Sequence, residues 1–486
     1  MGNNKSKHSG ILKITPITPI HISAGENYQR FEYFIDTKGN FYLKDLMKFF
    51  LDNADDFDSA VKIMKDLSFR PPDEYIRYTL PVYANTKDIT TTSGGRGQTL
   101  EKISTPQSLA RGGKLDPEIA KIMKQAQTQP KQAPPKTPPN QEPILQPTEQ
   151  ILSFIKDPFN QPFIPGSSLK GCLRTAITYA LLKNTELQSN SILEVIISKA
   201  FQKQKEFDEK ERNKAIRKGQ NYKPKPADKL QDNSLLPHII PANDAKYDLF
   251  KALVIRDSQP FKLQLINLDE DGYLTIPNFG ICQIRIVKKI AKRIREQEGI
   301  ILAESLLPIL EKPIEIPFYI DMFILERIIQ VAEEDLNEKG KKQRVEEELN
   351  FLLSNKSIFE TLRTILSTPD KFTQALTDFS KELVKTQVDF FENSTYKDAL
   401  NRILQPYINN NCILLQIGFG TGYLSKTIAL AYDVQSRLRI QQNLHLGEHE
   451  YDEDSPFPRS RRVITSKDNL LPSLPMGWFK LDIEWK

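Results

Sequence analysis

No stretch of this chain approaches the roughly 18–20 consecutive apolar residues that a membrane span needs. The opening Met1-Gly2-Asn3-Asn4-Lys5-Ser6-Lys7 holds no apolar core for a secretory leader. Gly2 and Ser6 meet the bare myristoylation pattern, but Lys5 and Lys7 read better as a short polar arm. No membrane partner is expected, and a cytoplasmic location is. Cysteine is scarce: Cys172, Cys282 and Cys412 are widely spaced in apolar surroundings. That excludes a disulfide framework and fits buried thiols in a reducing compartment. The five histidines leave few candidates for acid–base chemistry. An excess of one charge is also lacking, with 67 basic against 62 acidic residues and a net charge of +5. A uniformly basic nucleic-acid coat is excluded; a local basic groove is not.

What is present is uneven. Basic clusters occur at Lys203 to Lys225, Lys288 to Arg295 and Arg459-Ser460-Arg461-Arg462, each by default a solvated face or loop. From about Ser93 to Gln150 the chain opens with Gly94-Gly95-Arg96-Gly97 and continues in Pro, Gln, Lys and Thr. Such a stretch buries too little apolar area to offset chain entropy and reads as a flexible insertion. Residues 203–229 read as a second irregular, basic insertion. Strands are predicted within Ile11 to Ile22 (broken near Pro16 and Pro19), at Ala252 to Arg256, Phe261 to Ile266, Tyr273 to Ile276, Cys282 to Val287, Ile314 to Ile320, Cys412 to Gln416 and Trp478 to Trp485. A hairpin is predicted from Phe31 to Leu43 around Lys38-Gly39-Asn40. Helices are predicted at Asp45 to Leu51, Asp56 to Leu67, Met322 to Phe351 (interrupted near Gly340), Pro369 to Leu383 and Val388 to Leu404. Strands early, helices in the middle and strands again at the end describe α+β rather than alternating β/α. The divisions that follow are 1–92, the insertion 93–150, a core at 151–320, a helical region at 321–408 and C-terminal strands at 409–486.

Two motifs resemble chemistry without completing it. Gly420 to Thr427 is close to a phosphate-binding P-loop, but Ser425 replaces the glycine before Lys426, and too little chain follows for the usual Mg²⁺-binding acid. His445-Leu446-Gly447-Glu448-His449 matches an inverted zinc-peptidase pattern, yet its internal glycine and the acids that follow describe a loop. Asp244, Asp248 and Asp257 have no spacing that requires a metal, and Asp36 ends a predicted strand rather than lying in a catalytic loop. No metal and no cofactor are expected.

The most informative stretch is Phe163 to Arg174. A Pro165-Gly166 turn leads into Ser167 and Ser168 as candidate N-caps, and Leu169, Cys172, Leu173, Ala176, Ile177, Ala180 and Leu181 form one apolar helical stripe. Lys170 and Arg174 lie off that stripe. Two cations at the positive end of a helix dipole oppose stability, whereas they suit an external anion such as a phosphate.

The string Ile164-Pro165-Gly166-Ser167-Ser168-Leu169-Lys170-Gly171-Cys172-Leu173-Arg174 resembles the signature of the RAMP superfamily, the RNA-binding subunits of CRISPR effector complexes. Pro19-Ile20-His21-Ile22-Ser23-Ala24-Gly25 looks like the first strand and turn of such a domain, with Ser23 and Ala24 before the glycine. Ile417-Gly418-Phe419-Gly420-Thr421-Gly422 looks like its glycine-rich loop. Order and spacing most resemble the Csm-type subunit that caps type III-A effectors at the 3′ end of the CRISPR RNA. The resemblance implies ferredoxin-like (RRM-type) modules with a helical insertion, and a non-catalytic role. Implied partners are crRNA, target RNA and neighbouring backbone subunits. The RNA-binding residues expected on this basis are His21, Gly25, Gly166, Ser167, Ser168, Lys170, Arg174, Gly418, Phe419, Gly420, Gly422, Tyr423, Lys426, Arg459, Arg461 and Arg462. The alternatives are a ribonuclease that trims CRISPR RNA, with His21 as its acid–base group, and a P-loop NTPase.

Overall fold

A computed structural model of the chain describes residues 7–36, 39–65, 69–83, 150–183, 190–221, 245–261, 278–290, 293–297, 300–310, 312–336, 356–446, 458–465 and 474–486. The strands are β1 (Lys7–Pro16), β2 (Ser23–Tyr28), β3 (Tyr33–Ile35), β4 (Asn40–Lys44), β5 (Ile76–Tyr83), β6 (Ile151–Phe154), β7 (Leu253–Ile255), β8 (Phe279–Ile290), β9 (Arg293–Glu296), β10 (Ile301–Leu306), β11 (Ile314–Asp321), β12 (Ile413–Gln416), β13 (Ser460–Ile464) and β14 (Trp478–Trp485). The α-helices are α1 (Leu46–Asp52), α2 (Phe57–Lys65), α3 (Gly166–Lys183), α4 (Asn190–Arg217), α5 (Met322–Leu336), α6 (Lys356–Ser367), α7 (Pro369–Phe390), α8 (Thr395–Asn409), α9 (Tyr423–Lys426) and α10 (Val434–Asn443).

One sheet has the order β12-β14-β1-β11-β7, and every neighbour in it is antiparallel. In chain order β1, α3, β7, β11, α7 and β14 make a split βαβ unit, with the fourth strand beside the first, then the third and the second. That is the expected ferredoxin-like module, extended by β12 at its edge. Along β1 the residues Gly10, Leu12, Ile14 and Pro16 are buried and their neighbours are not, the period-two signature of a strand with one face on the core. The second sheet follows the path β2-β6-β10-β8-β5-β4-β3, with β13 and β9 also pairing β8. Its β6–β10 and β5–β8 pairings are parallel. A single large cluster of buried side chains draws on both sheets and on α3, α7 and α8.

The chain passes from one sheet to the other at the predicted break. β1 ends at Pro16, Ile17 and Thr18 donate their N–H groups to the Trp478 carbonyl, and Ile20 exchanges backbone bonds with Leu306 of β10. The predicted hairpin is present as β3 and β4, and β5 adds to it. Three expectations shift. The stretch from Lys203 is helical as far as Arg217, because α4 carries it. The helices predicted as Pro369 to Leu383 and Val388 to Leu404 break later, after Phe390, where Asn393 takes a positive φ. Strands β2, β5, β6, β9, β10 and β13 are not among those expected. The proline-rich insertion up to residue 149, the strand expected at Phe261 to Ile266 beyond its first residue, the strand expected at Tyr273 to Ile276, and the helix beyond Leu336 lie outside the described residues.

The second sheet has a polar centre. Glu304 of β10 is fully buried and forms a short ion pair with Lys156, just past β6. It also accepts from Tyr28 OH at 3.0 Å, Tyr78 OH at 3.2 Å and the Phe154 N–H at 3.0 Å. Tyr28 and Tyr78 hydroxyls are 2.6 Å apart, and Lys156 donates to Tyr28 at 2.7 Å. Burial beside this carboxylate pushes both phenols well above their usual range. Removing one partner of a buried pair leaves an uncompensated charge, at a cost of about 3–5 kcal/mol. Lys156→Met is therefore expected to destabilise the protein by about that amount in urea denaturation. Loss of less than about 1 kcal/mol would show that Glu304 does not depend on Lys156.

Candidate nucleic-acid interface

The three motif segments come together at the joint between the sheets. Phe419 donates its N–H to the His21 carbonyl at 2.7 Å, so the first strand's end and the glycine-rich loop touch directly. Cys172 on α3 donates Sγ–H to the Gln416 carbonyl at 3.4 Å, which ties the signature helix to the strand feeding that loop. α9, at the loop's far end, packs on α3. Burial pushes the Cys172 thiol up to about 12.

Glycine is required in the loop for two different reasons. Gly418 has φ +88°, and a Cβ there would lie 2.2 Å from the His21 carbonyl oxygen. Gly422 has the same φ, with nothing within 4 Å of a notional Cβ. Gly420 (φ +82°) faces Arg462 and Met476. Gly477, which the motifs did not include, closes the other side: its N–H donates to Pro19, its carbonyl accepts from Ile417, and φ is +82°. The Pro475-Met476-Gly477 turn signal was its only trace in the sequence. Hydroxyls of the P-loop-like run are used internally: Thr421 donates to Gly418, Ser425 to Thr421, and Thr427 to Tyr423. The helix that follows spans only four residues.

At the signature helix, α3 begins at Gly166, so Ser167 and Ser168 lie in its first turn and are not N-caps. The Gly166 N–H donates to Asp257 Oδ1 at 2.7 Å, and that of Ser168 to Pro165. An internal carboxylate thus occupies part of the site expected for an external anion. Gly166 is needed for packing, since a Cβ would meet the Ile255 and Arg256 carbonyl oxygens at 2.3 and 2.6 Å. Arg174 and Lys170 are not a bare repulsive pair. Arg174 lies 3.8 Å from Asp248 Oδ2, with its guanidinium 5.3 Å from the Phe250 ring centre. Partial burial lowers the Lys170 ammonium, Asp248 opposes that shift, and Arg174 and Lys251 add to it. Two neighbouring cations thus act on Lys170 against the Asp248 carboxylate. Asp244 lies outside the described residues.

The remaining candidates separate by exposure. The His21 ring is fully buried; its Nδ1 donates to the Glu304 carbonyl at 2.6 Å, its Nε2 has no partner among the described residues, and the rings of Phe154 and Phe419 stand edge-on to it. Arg461 is buried too, donating to Gln387 Oε1 and to the Pro458 and Ser460 carbonyls over the Phe390 ring. Arg462 is half-buried, 4.8 Å above the Phe419 ring, its Nε without a partner among the described residues. Phe419, Tyr423 and Arg459 are half-buried, while Gly25, Ser167 and Lys426 are exposed. Gly25 lies on the irregular β2–β6 pairing, apart from the loop. His445 bonds Asp208 at 2.9 Å, and His449 lies outside the described residues.

Two outcomes follow. Gly418→Ala should lose clearly more stability in urea denaturation than Gly422→Ala, because both add backbone strain of about 1–3 kcal/mol and only the first adds a clash. Equal losses would mean that the His21 contact yields readily. Burial lowers the His21 pKa, so the unfolded chain binds its proton more readily and stability rises with pH through about 6.5. Stability should fall as pH drops below that value, and His21→Phe should flatten the slope. An unchanged slope in that variant would place the titration elsewhere.

A profile of the RAMP superfamily matches residues 13–425. Among solved structures, a chain from "Cryo-EM structure of Csm-crRNA-target RNA ternary complex in type III-A CRISPR-Cas system" is 17% identical at TM-score 0.51, covering 98% of this chain and 100% of that chain. T. onnurineus Csm5 is 16% identical at TM-score 0.47, covering 97% of this chain and 99% of that chain. No curated protein matches the sequence.

Proposed function

The chain belongs to the RAMP superfamily, and from that premise we propose that it is a non-catalytic, crRNA-binding subunit of a type III, Csm-like CRISPR effector ribonucleoprotein. It caps the assembly at the crRNA 3′ end, with neighbouring backbone subunits on one side. The observation that carries the reading is the meeting of all three motif segments at one joint. Lys170 and Arg174 stand on the first turns of the signature helix, Arg174 3.8 Å from Asp248, and Arg462 lies over Phe419 at the loop. Phosphates would be neutralised there by these cations and Lys426, and bases would stack on Phe419 or Tyr423. The likeness to a chain of a crRNA-containing complex over nearly its whole length agrees with this assignment.

A ribonuclease built on His21 would need that ring at the surface, whereas it is buried with its Nδ1 committed. A P-loop would need its hydroxyls and a full helix free for phosphate and Mg²⁺. A one-per-complex end piece also fits a chain whose inserted segments would obstruct an open, head-to-tail array.

Native mass spectrometry of the assembled complex should show one copy of this chain. Complexes lacking it should hold crRNA with altered 3′ ends and still cut target RNA. Several copies per complex, or RNA cleavage by the isolated chain, would overturn the assignment.

A further inference from the structure

We propose that a strip of cations on the outer face of β13, β8 and β9 binds the phosphates of single-stranded RNA. This rests on the RNA-binding reading above and extends it to residues outside the three motif segments. The two basic clusters at Lys288 to Arg295 and Arg459 to Arg462, far apart in the chain, pair on adjacent strands. Ser460 stands opposite Lys288 and Arg462 opposite Ile286. Lys288 in turn stands opposite Arg295, and Ile290 opposite Arg293. Directly opposed residues share a face, as do alternate residues along a strand. Arg462, Lys288, Arg295 and Arg293 therefore project from one face.

On the other face of the same strands each cation has a partner, although among the described residues only Arg285 meets a carboxylate. Arg285 lies 3.4 Å from Glu296, which also accepts from Tyr396 at 2.7 Å. Lys289 donates to the Asp389 carbonyl at 3.2 Å, and Arg461 is buried against Gln387 and Phe390. On the outer face Arg293 and Arg295 are exposed and Lys288 is half-exposed. Among the described residues no carboxylate pairs with any of the three. Lys288 opposite Arg295 is a like-charge pair, which weakens a sheet. A fold that gives every cation of one face a hydrogen-bond partner and accepts repulsion on the other leaves the second for an outside polyanion.

The strip is continuous with the motif site. Its inner end is Arg462 over Phe419, on the glycine-rich loop, where Ile284 and Ile464 pack with Phe419. From Ile286 to Ile290 the strand covers about 13 Å, room for successive phosphates of an extended chain. Its outer end is Ile290, 40% exposed.

The test uses the full-length protein and a fluorescein-labelled oligouridine, with affinity read by anisotropy across a salt series. The variant Lys288→Gln, Arg293→Gln, Arg295→Gln should flatten the slope of log K against log salt by about two units, at roughly 0.7 per lost contact. Its melting temperature should be unchanged or higher, since repulsion is relieved. A control, Arg327→Gln, Arg363→Gln, Lys371→Gln, removes equal charge from exposed positions on α5, α6 and α7 and should keep the wild-type slope. If wild type binds RNA and the triple variant keeps its slope, the strip assignment falls alone. It falls likewise if the control loses as much, or if the variant loses only a protein neighbour from the complex. If wild type binds no RNA, the RNA-binding reading falls, and the strip with it.

Discussion

The ion pair between Lys156 and Glu304 is the contact on which the rest of the architecture depends. A carboxylate with no exposure inside a sheet is tolerable only when its lone pairs are filled and its charge is matched. Here the match comes from four groups on or beside three strands at once. Tyr28 lies on β2, Tyr78 on β5, Phe154 on β6, and Lys156 just beyond it. None of these strands can shift register without stranding the charge, so the polar centre fixes an alignment that apolar packing alone would leave degenerate. The same residue offers its backbone carbonyl to His21. The joint that holds the glycine-rich loop is thus aligned by the group that aligns the sheet.

What could be read from the sequence was what local pattern determines. The apolar stripe of α3, the alternation in β1, the β3–β4 hairpin and the break at Pro16 all have neighbours in sequence as their cause. What could not be read depends on partners far away. β6 is four residues long and becomes a strand through parallel pairing with β10, about 150 residues later in the chain. The Ser167 and Ser168 caps failed for the same reason: Asp257, on a distant segment, had already taken the first amide. The three motif segments do meet in space, but the burial of their side chains was not legible. His21 and Arg461 carry polar groups that a sequence reading places in solvent and the fold turns inward.

Charge shows the same contrast between total and placement. A net charge of +5 over 486 residues describes no particular partner. The fold sorts it, pairing Arg285 with Glu296 and Lys13 with Glu484, burying Arg461 among neutral acceptors, and setting Arg174 beside Asp248 at the signature helix. Because long-range fields are screened within about 10 Å at ordinary salt, such placement decides what an approaching polyanion meets.

The Cys172 thiol has a further consequence. Its sulfur bonds the Gln416 carbonyl from within the core, and burial holds its pKa near 12, so almost no thiolate exists while the helix stays seated. Reaction with an electrophile requires α3 to part from β12. The rate at which this sulfur is alkylated thus becomes a clock for separation of the signature helix from the glycine-rich loop, while the partly exposed Cys412 reacts without any such opening and supplies the internal reference.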